Sequence, residues 1–183
     1  MKSLTAWTLT GLLLQGCHFG PLPSIPDLSV TYISHSAYIR ADSKTLDEIM
    51  TAFKRAEGAV QRRDPDAVMA LYADGYKHRG FTKDSLRTEW KHLLEEYYDF
   101  STTHVFTRIE VASDKTPPTA NVTCTGSLWA ISNATGQRVN IDSWFGEVHY
   151  LIQEGDSWRI RGHAWEVLNP KDTRFARPPH PFF

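Results

Sequence analysis

The chain has 183 residues, of which 22% are charged, and its formal net charge is −1 at pH 7. This balance excludes a global electrostatic field of the kind that draws in nucleic acid or anionic lipid, so no nucleic-acid partner is expected. The length suits one domain with a sizeable core and a tether, and it leaves little room for a second domain.

Residues 1–16 have the pattern of a signal peptide. The positive Lys2 precedes the apolar run Leu4–Leu14, which is shorter than the roughly 20 residues that span a bilayer. The run passes into Leu-Gln-Gly before Cys17, which resembles the lipobox of bacterial lipoproteins. The resemblance implies acylation of Cys17 and a membrane contact made through that lipid anchor alone. A plain secretion signal and a buried segment are the alternatives.

Residues 17–42 are predicted to be the lipidated cysteine and a tether. His18 stands where an Asp would favour inner-membrane retention in enterobacterial lipoproteins, so the same resemblance implies the periplasmic face of the outer membrane. Three prolines follow, and the weakly alternating "LSVTYISHSAYIR" predicts an extended segment that adds to a sheet edge. With Cys17 acylated, Cys124 is a lone thiol, and no intramolecular disulfide forms.

The next segment predicts a helix of about five turns that ends near Arg63. Thr45 and Glu48 have capping-box spacing at its start. Apolar residues at three- and four-residue spacing form one stripe: Leu46, Ile49, Met50, Phe53, Ala56 and Val60.

Two more helices are predicted before residue 98. Asp64 and Pro65 provide an N-cap and a first helical residue, and "DAVMALYADG" predicts a short helix that Gly75 stops. A third helix is predicted to begin after Thr82. Its apolar face comprises Leu86, Trp90, Leu93, Leu94 and Tyr97.

After Tyr98 the hydrophobic period changes from 3.6 to 2, which predicts four strands. They are Thr103–Ala112, Thr119–Ile131, Arg138–Ile152 and Trp158–Leu168, separated by segments rich in turn-forming residues. Three helices followed by an antiparallel meander predict an α+β domain over residues 43–168. The Pro-rich residues 169–183 are predicted to be an extended tail.

Several pieces of the chain resemble the nuclear-transport-factor-2-like superfamily in its SnoaL-like, or polyketide-cyclase-like, form. They are "RRDPDAVMALYADGYKHRG", the third helix, "ANVTCTGSLWA" and "VHYLIQEGDSWRIRGHAWEV". The resemblance implies a cone, or cystatin-like roll, in which a strongly curved antiparallel sheet wraps the helices around a pocket. Members include isomerases, dehydratases, cyclases and proteins with no known reaction, and homodimers through the sheet are frequent.

Four residues are candidates for catalysis. Asp74, Tyr76 and His78 point the same way in an extended chain, so a carboxylate, a phenol and an imidazole can converge on a cavity. Asp142 is a second candidate base on a predicted strand. The alternative is structural, with Asp74 in a turn, Tyr76 in the core and His78 in a loop.

The last hairpin brings His149 and His163 within about one residue of opposite register. Two histidines make a poor zinc site, and no third ligand has suitable spacing, so no metal is predicted. One histidine is expected to line a ligand pocket with residues from the same strands, either Trp165 with His163 or Glu166 with Ala164 facing inward. Further candidate lining residues are Asp142 and Trp144.

The remaining candidates have strong structural alternatives. Trp90 and Tyr97 either form the base of an apolar pocket for a flat ligand or pack in the core, and core packing is favoured. Trp158 and Ile160 are predicted to be core residues. Cys124 alternates with apolar neighbours and is predicted to be a small buried hydrophobe.

The sequence therefore favours an envelope lipoprotein whose domain binds a small apolar ligand or an envelope protein partner without turnover. It contains no Gly-rich phosphate loop, nucleophile elbow, HExxH or CxxC, and no cofactor is predicted. The alternative is an isomerase, cyclase or dehydratase in which Asp74 or Asp142 is the general base. A scaffold in an envelope assembly is a third hypothesis.

Overall fold

The computed structural model describes residues 29–164. The predicted signal peptide, Cys17, Trp165, Glu166 and the Pro-rich tail lie outside the described residues. The elements in chain order are β1 Val30–Arg40, α1 Ser43–Gln61, α2 Pro65–Met69, β2 Lys77–His78, β3 Phe81–Thr82, α3 Lys83–Glu96, β4 Tyr97–Ala112, β5 Thr119–Ser132, β6 Arg138–Glu154 and β7 Ser157–His163.

Helix α1 buries the predicted apolar stripe but begins two residues earlier than its predicted cap. The N-cap is Asp42, whose carboxylate accepts a hydrogen bond from the Thr45 backbone N–H at 2.9 Å. The predicted capping box at Thr45 and Glu48 is therefore wrong, because Thr45 already lies in the first turn. Glu57 is also buried on this helix, among the apolar residues.

Helix α2 is capped as predicted but is shorter than expected. Asp64 accepts from the Ala67 backbone N–H at 3.0 Å, and Pro65 is the first helical residue. The helix ends at Met69 because the following backbone pairs with β7. The Ile160 N–H donates to the Leu71 carbonyl at 2.7 Å, and the Ala73 N–H donates to the Ile160 carbonyl at 2.9 Å. Helix α3 begins after Thr82 as predicted.

The four predicted strands form one sheet in the order β4-β5-β6-β7, and each adjacent pair is antiparallel. The register shifts between Phe106 and Arg108 on β4 and at two places between β5 and β6, so the sheet carries bulges, which bend strands. The helices cover one face of this curved sheet, which we call the interior face. The predicted α+β architecture is confirmed.

Strand β1 departs from the predicted antiparallel pattern. It pairs with β4 in parallel, with Val30 opposite Thr103 and Arg40 opposite Glu110. The pairing is parallel because the chain runs through all three helices before it returns as β4, and such a crossover brings a strand back in the same direction. The predicted tether, residues 17–42, therefore contains a strand of the sheet, and the expected edge addition is present.

Candidate functional site

Polar side chains cluster on the interior face, where apolar residues alone would be expected. Four of them are buried histidines, a residue type that is rare in such positions unless it has partners. We define the interior cluster as Glu57, Tyr76, His78, His104, Cys124, Trp144, Glu147, His149 and His163.

One part of the interior cluster is a chain of contacts between β5, β6 and β7. The Cys124 sulfur lies 2.9 Å from His149 Nε2, and the Trp144 indole N–H donates to the same sulfur at 3.1 Å. His149 Nδ1 lies 2.7 Å from His163 Nδ1, which is also 3.2 Å from Glu147 Oε1.

One placement of the protons satisfies all of these contacts. In it, Glu147 accepts, and His163 carries its proton on Nδ1. His149 Nδ1 is then an acceptor, and the proton of a neutral His149 lies on Nε2, directed at Cys124. Burial raises the pKa of the Cys124 thiol to about 12, an effect that the Trp144 hydrogen bond opposes.

A second part of the interior cluster joins α1 to β1 and β4. Glu57 Oε1 lies 2.5 Å from His104 Nδ1 and also accepts a hydrogen bond from the Thr31 hydroxyl. The His104 ring is 5.0 Å from the Trp144 ring, which connects this pair to the Cys124 contacts. The Phe53 ring packs edge-on against His104 at 5.8 Å.

The third part contains two of the residues that the sequence predicted to converge. The His163 ring lies 5.9 Å from the Tyr76 ring and 4.8 Å from the His78 ring. The Tyr76 hydroxyl and His163 Nε2 are buried and have no hydrogen-bond partner within residues 29–164. Burial, followed by the nearby Tyr72 and Glu147, raises the pKa of Tyr76, so this hydroxyl keeps its proton and can donate it.

The structure corrects the prediction for Asp74. Its side chain is 84% exposed and forms an ion pair with Lys83 at 2.7 Å, with Arg159 at 3.9 Å. It does not join Tyr76 and His78, because residues 74 and 75 form a turn and the alternation of an extended chain does not apply. The Lys83 hydrogen bond lowers the pKa of the Asp74 carboxyl.

The other predicted residues divide between site and core. Trp144, His149 and His163 lie in the interior cluster, whereas Trp90 is fully buried in the hydrophobic core and Tyr97 packs against that core. This agrees with the favoured packing interpretation of Trp90 and Tyr97.

Asp142 is partly buried on β6, and its Oδ1 accepts from the Ser143 backbone N–H at 2.7 Å. This hydrogen bond joins two adjacent residues of β6 and does not link Asp142 to the interior cluster. Trp158 and Ile160 are core residues as predicted, being 2% and 0% exposed.

Three members of the interior cluster were missed in the sequence, namely Glu57, His104 and Glu147. Glu57 lies four residues after Phe53, on the apolar face of α1, and a carboxylate at such a position signals a buried partner. His104 lies two residues before Phe106, so alternation places it on the buried face of β4. Cys124 was correctly predicted to be buried, but its contact with His149 was not predicted.

The described residues offer neither a metal site nor a membrane-spanning helix. Within residues 29–164, no three His, Cys, Asp or Glu side chains are placed to hold a metal ion. No helix in the same range is long and apolar enough to cross a membrane.

No protein-family model matches the sequence, and neither does any curated protein. Solved structures do match. A conserved protein from Planctomyces limnophilus is 12% identical, with a TM-score of 0.56 over 67% of this chain and 94% of that chain. Aln2 from a Streptomyces species is 14% identical, with a TM-score of 0.51 over 67% and 90% of the two chains. A ketosteroid isomerase-like protein from Erwinia carotovora atroseptica is 22% identical, with a TM-score of 0.47 over 67% of this chain and 95% of that chain.

At these identities the likeness concerns the fold alone. The element order, the five-stranded curved sheet that packs against the helices, and the first two matches agree with the fold that the sequence predicted. The chain has the nuclear-transport-factor-2-like fold.

Proposed function

We propose that the chain is a lipid-anchored protein of the bacterial cell envelope whose domain binds a small, mainly apolar ligand without turnover. One observation carries the binding proposal. The Tyr76 hydroxyl and His163 Nε2 are buried polar atoms without a partner among the described residues, and the two rings lie 5.9 Å apart. An unsatisfied buried polar atom costs about 1–3 kcal/mol. A ligand oxygen that accepts from the Tyr76 hydroxyl removes this cost for Tyr76, whereas His163 Nε2, an acceptor, is satisfied by a ligand hydroxyl.

The surroundings indicate the chemical class of the ligand. Aromatic rings of Phe53, Phe106 and Trp144 lie beside His104 of the interior cluster, with Phe53 and Phe106 4.9 Å apart. Pockets that combine an apolar wall with a few fixed polar groups bind apolar molecules and orient them through one or two hydrogen bonds. A flat, apolar molecule with a single carbonyl or hydroxyl oxygen fits this description.

Two of the carboxylates favour binding over turnover. Asp74, one predicted base, is exposed to solvent, and Glu57 is engaged by both His104 and Thr31 through one oxygen. A general base must be free to take a proton from the ligand, and neither of these two groups meets that requirement.

A titration tests the binding proposal. The probe is 2-acetylnaphthalene, a flat apolar ketone, and its affinity for the full chain is measured by fluorescence. We expect Tyr76→Phe to weaken binding about tenfold, which corresponds to one hydrogen bond of about 1.4 kcal/mol. Tyr98→Phe, which removes a hydroxyl from an exposed tyrosine, is the control and leaves affinity unchanged. Equal affinity of both variants would exclude Tyr76 as the binding group.

A second candidate is an enzyme of the isomerase, cyclase or dehydratase kind. The contact between His149 and His163, with Glu147 beyond it, favours this candidate because it leaves His163 Nε2 as a possible base next to the Tyr76 donor. In such a reaction, His163 takes an α-proton from a ketone while Tyr76 donates a hydrogen bond to the enolate oxygen.

The same probe separates the two candidates. An enzyme exchanges the methyl protons of 2-acetylnaphthalene for deuterium in D₂O faster than buffer does, and His163→Gln abolishes the difference. A binding protein shows no exchange above buffer, although it binds the probe. Proton NMR of the methyl signal distinguishes these results.

The envelope location rests on the sequence around Cys17. In bacterial cells fed an alkyne-labelled fatty acid, we expect the chain to be labelled and to fractionate with the outer membrane, and Cys17→Ala to remove the label. We also propose an envelope protein partner and a homodimer through the sheet. Measuring the size of the acylated protein in detergent tests both proposals.

A further inference from the structure

The outer face of the sheet carries a row of polar side chains near the end of β4. Arg40, Glu110, Asn121 and Tyr150 lie directly opposite one another on β1, β4, β5 and β6. Residues that are paired across strands project from the same face. The alternating neighbours are buried, as Ile109 at 0% exposure shows, so the row faces away from the core.

Two adjoining grooves run along this row. The first has a volume of about 310 Å³, and its lining includes the row itself with Lys115 from the β4–β5 connection and Arg161 from β7. The second has a volume of about 590 Å³ and is lined in part by Arg108 and Thr123. Both grooves include Glu110 and Asn121, so they adjoin at these residues, and we call the two together the basic groove.

The charge of the basic groove is positive. Glu110 is the carboxylate among its lining residues, and it accepts a hydrogen bond from Arg108 Nε at 2.7 Å. That bond, with the charges of Arg108 and Arg40, lowers the pKa of Glu110, so Glu110 stays ionised and neutralises one cation. Arg40, Lys115 and Arg161 are exposed and form no ion pair within residues 29–164.

We propose that the basic groove binds the phosphate groups of anionic phospholipids at a membrane surface. Guanidinium groups pair with phosphate through parallel hydrogen bonds, and Arg40 and Arg161 line this groove together with Lys115. The Asn121 amide and Tyr150 hydroxyl add neutral donors to the same groove. Because the groove is open and its cations are exposed, it suits a headgroup layer better than an enclosed soluble ligand. This contact is made by the domain and is independent of the acyl chains proposed at Cys17.

Vesicle cosedimentation tests this proposal. The full chain carrying Cys17→Ala, which has no acylation site, is mixed with vesicles of phosphatidylcholine alone or with added phosphatidylglycerol. We expect binding to rise with phosphatidylglycerol and to fall with salt. The triple variant Arg40→Gln, Lys115→Gln and Arg161→Gln lowers this binding about hundredfold, since each cation near the surface contributes about fivefold to the affinity.

A charge-matched control separates the basic groove from net charge. The variant Lys54→Gln, Arg62→Gln and Lys91→Gln removes the same charge from exposed positions on or beside the helices and keeps the binding. Equal loss in both variants, or no preference for phosphatidylglycerol, overturns the proposal. Displacement by millimolar inorganic phosphate at constant ionic strength also overturns it, because the ligand is then a soluble phosphate. Failure of fatty-acid labelling would refute only the proposed lipid anchor at Cys17, because the vesicle assay uses unacylated protein.

Discussion

Gly126 on β5 controls the packing of the interior cluster. It lies opposite Trp144, and a Cβ atom there would lie 2.1 Å from the Thr103 carbonyl oxygen and 2.4 Å from the Trp144 ring. Cβ contacts under 3.0 Å are essentially never seen. In Gly126→Ala, therefore, either the β4–β5 ladder or the Trp144 indole must move. Overpacking costs about 1–3 kcal/mol in typical cores, and because a strand carbonyl and a buried ring obstruct this site, we expect about 3 kcal/mol.

Urea unfolding followed by circular dichroism measures this loss. Gly75→Ala is the matched control, because a Cβ at Gly75 meets nothing within 4 Å. We expect the control to stay within about 0.5 kcal/mol of the parent. If Gly126→Ala unfolds at the same urea concentration as the control, the close approach of Trp144 to β5 is not part of the folded state, and the contact of Trp144 with Cys124 loses its basis.

Three further outcomes are expected. Lys83 holds the pKa of Asp74 below its ordinary value of 3.8, so this pair stabilises the fold above that pH and loses its effect as pH falls through the lowered pKa. The Tm difference between the parent and Asp74→Asn therefore disappears in acid, and a difference that is constant with pH would contradict the pairing. Because burial raises the pKa of Cys124 to about 12, iodoacetamide should modify the native thiol only as fast as the protein opens, whereas rapid labelling of folded protein would show an accessible thiolate. Tyr76→Phe should leave the free energy of unfolding unchanged or raise it by up to about 1 kcal/mol, since an unpartnered hydroxyl is removed; a clear loss in urea unfolding would reveal a partner.

The sequence by itself determined most of the local structure. The stripe from Ile49 to Val60 has the helical period, and the alternation on β5 around Cys124 has the strand period, so each segment indicated its type and its buried face. These patterns depend on residues only a few positions apart. The antiparallel order of β4 to β7 followed because short connections join neighbouring strands.

Only the tertiary structure decided the chemistry of the interior and outer faces. Glu57 and His104 are 47 residues apart, and Cys124 and His149 are 25 apart, so their contacts depend on how α1 packs and on register shifts that alternation does not encode. The parallel pairing of β1 brings Arg40 beside Glu110 in the basic groove. The net charge of −1 gives no sign of this local group of cations. Side chains distant in sequence meet only through packing and register, and these are properties of the whole folded chain.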